Sequence, residues 1–199
     1  MKAEFFAALA QRRTQYALGR NVPHSRAALT QLIQNAIRQC PSAFNSQSAR
    51  AVILFGAQSD VFWGFVKEAL RAIVPPADFA ASEARVNGFA AGVGTVLFYE
   101  DQDVVAHMQQ EFPLYADNFP VWSEHASGIA QFAVWTALAT IDVGASLQHY
   151  NPLPDAAAAA HWHIPASWRL RAQLPFGSNE AAITDKTYMD DAARFRVFE

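Results

Sequence analysis

Two pairs of arginines stand near opposite ends of the chain: Arg12 with Arg13, followed by Thr14, and Arg194 with Arg196. A guanidinium offers its N–H donors in a planar fork that fits phosphate oxygens, and a nearby hydroxyl adds another donor. Either pair could hold a terminal phosphate. The alternative for the first pair is a solvated helix end, where cations complement the helix dipole. For the second pair it is a solvated edge strand. In an extended tail Arg194 and Arg196 project to the same side. Their phosphate reading gains weight only if the tail lies near Arg12 and Arg13.

Between these pairs runs Pro41-Ser42-Ala43-Phe44-Asn45-Ser46-Gln47-Ser48-Ala49-Arg50. Its hydroxyls and carboxamides supply both donors and acceptors, enough to satisfy a polyol chain and the edge of a heterocycle. An ordinary polar turn would have the same composition. Other chemistries have less support. Gly88, Gly92 and Gly94 precede a strand instead of following one, so a dinucleotide-binding loop is excluded and close chain packing is the expected use. His161 and His163 lack a clear third ligand for a metal. There is no GxSxG motif, and Cys40 falls on the apolar stripe of a helix, which leaves a nucleophilic hydrolase without a nucleophile.

The elements that must position these groups can be read from hydrophobic periodicity. Residues 3–16 form a helix. Ser25 caps a second helix with the stripe Leu29, Leu32, Ile33, Ala36, Ile37 and Cys40, which Pro41 stops. Residues 51–55 and 95–99 are buried strands, and a helix with the stripe Phe62, Phe65, Val66, Ala69, Leu70 and Ile73 lies between them. Helices follow at 104–112 and 123–141. The second is apolar on nearly every face, which predicts burial on all sides, as in a dimer interface. A short strand at 144–148, a helix from Asp155 to about Trp162 and an alternating strand from Trp168 to Leu174 come next. The tail 194–198 reads as a fifth strand or extended arm. The 199 residues therefore make one domain, 1–199, of class α+β, with helices around a central sheet.

Composition fits that reading. Hydrophobic residues make up 52% and charged residues only 17%, so the charged shell is thin and subunit contact is expected. A net charge of −3 leaves no basic footprint for nucleic acid. The apolar stretch at residues 5–10 is too short for a membrane span and has the wrong layout for a signal peptide. A single cysteine excludes an intrachain disulfide framework, and a reducing, cytoplasmic setting is the simple reading.

Taken in order, these motifs resemble the FMN-dependent nitroreductase family. The run Pro41 to Gln47 resembles its PSSxNSQ loop, and Arg12-Arg13-Thr14 its N-terminal phosphate site. Residues 127–138 with 144–151 resemble its central helix and flavin-side segment, and Arg194-x-Arg196 resembles its C-terminal basic pair. The wording SAFNSQS, AQFAVWTAL and LQHYNP is similar to a compact nitroreductase-like subgroup.

The resemblance implies a nitroreductase-like fold with a mixed or antiparallel sheet and an interlocked homodimer with FMN at the interface. Arg12, Arg13, Thr14 and Arg196, with Arg194 beside it, would hold the phosphate. Pro41, Ser42, Ala43, Asn45 and Gln47 would reach that flavin from the partner chain. Gln148, His149 and Tyr150 would lie along the ring, with a backbone N–H directed at N5. NAD(P)H would supply hydride, and small nitroaromatic or quinone-like acceptors would take it in a ping-pong scheme, with no side chain as catalyst. Residues 112–122 carry candidate aromatics for the acceptor wall. The commoner members have Glu-Gly where this chain has His149-Tyr150, and a lysine that is missing from residues 85–92. Arg85 or Asn87 would substitute for it. The alternatives are a dehalogenase-type flavoprotein, for which no long lid insertion exists, and a non-catalytic flavin- or ligand-binding regulator.

Overall fold

The computed structural model describes residues 3–183 and 185–199. Its sheet follows from two antiparallel pairings, each across intervening helices, that centre on one strand. Strand β1 (Leu18–Gly19), β2 (Ala49–Phe55), β3 (Gly94–Asp101), β4 (Gly144–Ala145) and β5 (Trp168–Asn179) assemble in the order β1-β5-β3-β2, with β4 also on β5. Every strand pairing is antiparallel.

Helix α1 (Ala3–Gln11) leads into β1, and α2 (Arg26–Arg38) follows, capped by the Ser25 hydroxyl, which accepts the Ala28 N–H. Helices α3 (Ala57–Ile73) and α4 (Phe79–Ala90) join β2 to β3. Helices α5 (Gln102–Glu111), α6 (Phe119–Ala139), α7 (Asp155–Trp162) and the single-turn α8 (Asp191–Arg194) complete the chain.

β3 is buried along its whole length because helices cover both faces of the sheet. Val96 and Phe98 pack with Leu29, Ile33, Val134 and Leu138 of α2 and α6. Leu97 and Tyr99 pack with Phe62, Trp63 and Val66 of α3. The register of β3 on β5 shifts between Phe98 and Tyr99, whose partners are Ala172 and Leu170. The extra residue reverses the facing of β5, so Leu170 joins the α3 side while Ala172 and Leu174 join the α2–α6 side.

The glycines before β3 serve packing. A Cβ on Gly92 would lie 2.6 Å from the Phe176 carbonyl oxygen, and one on Gly94 would lie 2.5 Å from that of Leu54.

Two expectations need correction. The first helix ends at Gln11, not residue 16, because the chain beyond it runs extended beside β4: Thr14 bridges Ala145, and the Gln15 N–H donates to the Ala145 carbonyl at 3.0 Å. The tail is no fifth strand. Residues 191–194 are helical, and the segment after them pairs with no strand among the described residues. Within the single chain α6 is buried on one face only. Val121, Ile129 and Phe132 on its other face are exposed. Hydropathy alone could not show this, because the covered face carries Ser123, Ser127 and Gln131 and the open face carries large apolar groups.

Candidate functional site

The extended segment after α1 carries the first arginine pair. The Arg12 guanidinium lies 4.4 Å from the centre of the Trp135 ring and 5.9 Å from that of Phe132, both on α6. Its Nε is buried and has no hydrogen-bond partner among the described residues. Burial and the neighbouring Arg13 charge lower its pKa. A half-buried cation whose Nε has no partner among the described residues is suited to an anion.

Four residues further on, Tyr16 lines a cavity of about 580 Å³ together with Arg85, Gly88, Phe89 and Gln148. This volume is within the usual range of small-molecule sites. Arg85 thus faces the cavity. Asn87, the other candidate cation substitute, accepts a hydrogen bond from Lys67 Nζ of α3 at 2.8 Å.

The 148–150 segment is held by a residue that the sequence reading did not single out. Gln173 on β5 is fully buried. Its backbone exchanges hydrogen bonds with Gln148, its Oε1 accepts the Tyr150 N–H at 2.7 Å, and its Nε2 donates to Asn151 Oδ1 at 3.2 Å. Gln148 Nε2 donates to Ser146 Oγ at 2.7 Å. The Tyr150 ring packs edge-on against Trp63 and Phe89, so that side chain belongs to the core. The His149 N–H makes no hydrogen bond among the described residues, and the residue is exposed. The signal for Gln173 was an uncharged polar residue between Ala172 and Leu174, where the preceding alternate positions carry Arg169 and Arg171. It could be read only once both faces of β5 were known to be covered.

The 41–48 loop is tightly built. Ser42 Oγ accepts the Gln47 N–H at 2.9 Å, and Arg50 donates to the Gln47 carbonyl at 2.7 Å and to Asp101 at 3.0 Å. Phe44, Asn45 and Gln47 have positive φ, at 53°, 52° and 50°. Such angles are uncommon outside glycine, and for a residue as bulky as Phe44 they are a true outlier. The Phe44 ring packs 4.6 Å from Phe112 and stacks on Trp122 at 6.1 Å, which offsets the cost. Pro41, Ser42, Ala43 and Phe44 form one side of a groove of about 380 Å³, and α6 forms the other. This groove shares no residue with the Arg85 cavity, so one chain does not bring the two halves of the expected flavin site together. Nor does it bring the tail to Arg12: among the described residues the hydrogen bonds of Arg196 stay local, to the Ala192 and Phe195 carbonyls.

Beneath the loop lies Glu100, fully buried on β3. Ser48 donates to its Oε2 at 2.5 Å, while Oε1 has no partner among the described residues. Burial raises the carboxyl to about 7, with Glu124 adding to the rise and Ser48, Arg50 and Arg171 opposing it. Its ordinary value is 4.5, so between these two pH values the folded chain binds more protons than the unfolded one. The stability this brings is complete below the lower value and is lost as pH rises through the upper one. We expect Glu100→Gln to remove that slope and to stabilise the fold at pH 8 by up to about 3 kcal/mol. Urea midpoints of both proteins at pH 5 and pH 8 test this. Parallel changes in the two would refute it.

Comparison with known proteins fits this arrangement. The sequence profile of the Nitroreductase family matches residues 9–178. The chain belongs to the nitroreductase family.

Nitroreductase CinD from Lactococcus lactis, solved in complex with chloramphenicol, superposes with a TM-score of 0.90 at 51% identity over 98% of this chain and all of its own. Further structures of CinD hold 4-nitrophenol and nicotinic acid. HBN1 of Saccharomyces cerevisiae, which carries a provisional nitroreductase name, is 37% identical over 94% of both chains. A nitroreductase with bound FMN from Desulfitobacterium hafniense shares the fold, with a TM-score of 0.72 at 15% identity and full coverage of both chains. Nitroreductases are oxidoreductases, and the antiparallel sheet between helical layers is their fold. Among the described residues, no three His, Cys, Asp or Glu side chains gather as a metal site, and no helix is long and apolar enough to cross a membrane.

Proposed function

We propose that this protein is an FMN-dependent oxidoreductase that moves hydride from NAD(P)H to small oxidised acceptors such as nitroaromatics or quinones, and that it works as a homodimer in the cytoplasm. The observation that carries the reading is Arg12. Its buried, unpartnered Nε lies at one end of a short extended segment, and the other end of that segment lines the Arg85 cavity. The residues suit a ligand with an anion at one end and a flat ring at the other.

In this reading Arg12, Arg13 and Thr14 hold the phosphate. Gln148 and the backbone at His149 and Tyr150 border the ring, and Arg85 places positive charge at its pyrimidine edge. FMN, when bound, supplies the hydride chemistry at N5. The chain's part is to bind, orient and exclude water. Gln173 fixes the 148–151 backbone, so that the His149 N–H can be directed at the ring. Pro41, Ser42, Ala43, Asn45 and Gln47 serve the site of a second copy, which accounts for their separation from the Arg85 cavity within one chain. The exposed tail, with Phe195, Val197 and Phe198 open to solvent, suits an arm that packs on that copy and brings Arg194 and Arg196 to a phosphate.

An absorption spectrum of purified protein before and after anaerobic NAD(P)H addition tests the reading. A yellow protein that bleaches, and recovers its colour when a nitroaromatic is added, is the expected result. Yellow protein inert to NAD(P)H would make it a flavin-binding regulator instead. FAD as the main cofactor released by heat would overturn the FMN assignment.

A further inference from the structure

The groove between the 41–44 turn and α6 is lined by polar side chains that can each donate a hydrogen bond. Phe44, Trp122 and Ile129 make it largely apolar, and Ser42, His125 and the indole N–H of Trp122 are the side-chain hydrogen-bonding groups along it. Ser42 Oγ already accepts the Gln47 N–H, so its own proton remains to be donated. His125 is exposed and has no hydrogen bond, ion pair or ring contact among the described residues. An imidazole keeps at least one N–H in either protonation state. No carboxylate lines the groove. Its polar complement is therefore suited to a ligand whose substituents accept hydrogen bonds.

The apolar complement is aromatic, and its position is enforced. The positive φ of Phe44 is a conformation the residue would not adopt unaided, and its ring is held nearly parallel to Trp122, at 23°. Half of Phe44 remains exposed beside the groove. Strain is thus spent on presenting a ring face, the pattern expected at a functional position. The volume of about 380 Å³ is near the lower end for small-molecule sites and suits a single substituted ring.

We propose that His125 is the specificity-determining donor of the acceptor subsite. A single aromatic ring lies along Phe44 and Trp122, and His125, assisted by Ser42, donates to a nitro or carboxylate oxygen on it. This rests on the oxidoreductase reading above and adds which acceptors are preferred: rings bearing such oxygens over equally flat rings without them. Being a binding contact, His125 acts on acceptor affinity and not on the hydride step.

The test uses FMN-loaded protein and two ligands of similar size, nicotinate and 3-methylpyridine, titrated by calorimetry into wild type, His125→Phe and His125→Gln. Wild type is expected to favour nicotinate. His125→Phe should lose about tenfold in nicotinate affinity, the worth of one hydrogen bond, and keep 3-methylpyridine within about twofold. His125→Gln, which retains an N–H donor, should recover most of the loss. In steady state the KM for 4-nitrophenol should rise about tenfold in His125→Phe with kcat retained, the mark of lost uniform binding. Unchanged nicotinate affinity in His125→Phe overturns the proposal. So does an equal loss of both ligands, or a wild type that does not distinguish them. Bleaching of the wild type by NAD(P)H is read separately. Its failure would sink the oxidoreductase reading, while the two-ligand comparison would still judge His125.

Discussion

Arg12→Ala should weaken FMN binding by about ten- to a hundredfold, since a hydrogen bond to a charged group contributes roughly 1.5–3 kcal/mol. The guanidinium is sandwiched near Trp135 and Phe132, and its Nε is buried without a partner. Its burial already disfavours the charge, so a bound phosphate would relieve a cost the empty cation carries. Fluorescence quenching of FMN on titration measures the effect. Enzyme saturated with added FMN should keep most of its turnover, because Arg12 lies at the phosphate end and not beside the ring. Arg196→Ala provides the comparison. An equal loss there would place the tail of one chain at the phosphate as well, whereas wild-type affinity would leave Arg196 as a solvated charge. Wild-type affinity in Arg12→Ala itself would end the phosphate assignment.

The second large effect concerns the open face of α6. Gly128 is exposed there among Val121, Ile129 and Phe132, and a Cβ on it would meet nothing within 4 Å. Gly128→Glu therefore disturbs no contact inside the chain, and it removes a helix-weakening glycine. If two copies pack on this face, the substitution buries an unpaired carboxylate in each, at a cost of about 3–5 kcal/mol per charge. Light scattering at micromolar concentration should then give the mass of one chain, with the helical circular dichroism retained and FMN lost. A variant that remains a dimer with FMN bound would show that this face is not the subunit contact. The helical circular dichroism separates assembly from folding, because a structural role for Gly128 within the chain would instead reduce the helical signal.

Much of the architecture was legible in the sequence for local reasons. The stripe Leu29, Ile33 and Ile37 with Ser25 before it and Pro41 after it dictates a capped and terminated helix, and α2 is that helix. The apolar runs around Val52–Leu54 and Val96–Phe98 dictate strands, and they pair as neighbours, but only the second is buried throughout; the first lies at the sheet edge and is half-buried apart from Leu54. The order of the motifs also identified the family, since each is a short contiguous pattern.

What the sequence could not decide depended on contacts between distant segments. Helical periodicity carries on through residues 12–16, yet pairing with Ala145 draws them into an extended chain and leaves Arg12 against α6. Arg85 and Asn87 are two residues apart and equivalent on paper. The packing of α4 on α3 decides between them, giving Asn87 to Lys67 and Arg85 to the cavity. Gln173 is one of the polar residues that alternate with Leu170, Ala172 and Leu174, and alternation alone does not say whether its face is covered. Helices cover both faces of the sheet, so Gln173, which pairs with Leu97 on the face opposite Ala172 and Leu174, lies in the interior. There it could be satisfied only by the backbone and side chains of residues 148–151. Local propensity fixes an element and its stripe. Which neighbour each face meets is a property of the assembled sheet, because the free energy of burying a polar group depends on partners that are brought to it from elsewhere in the chain.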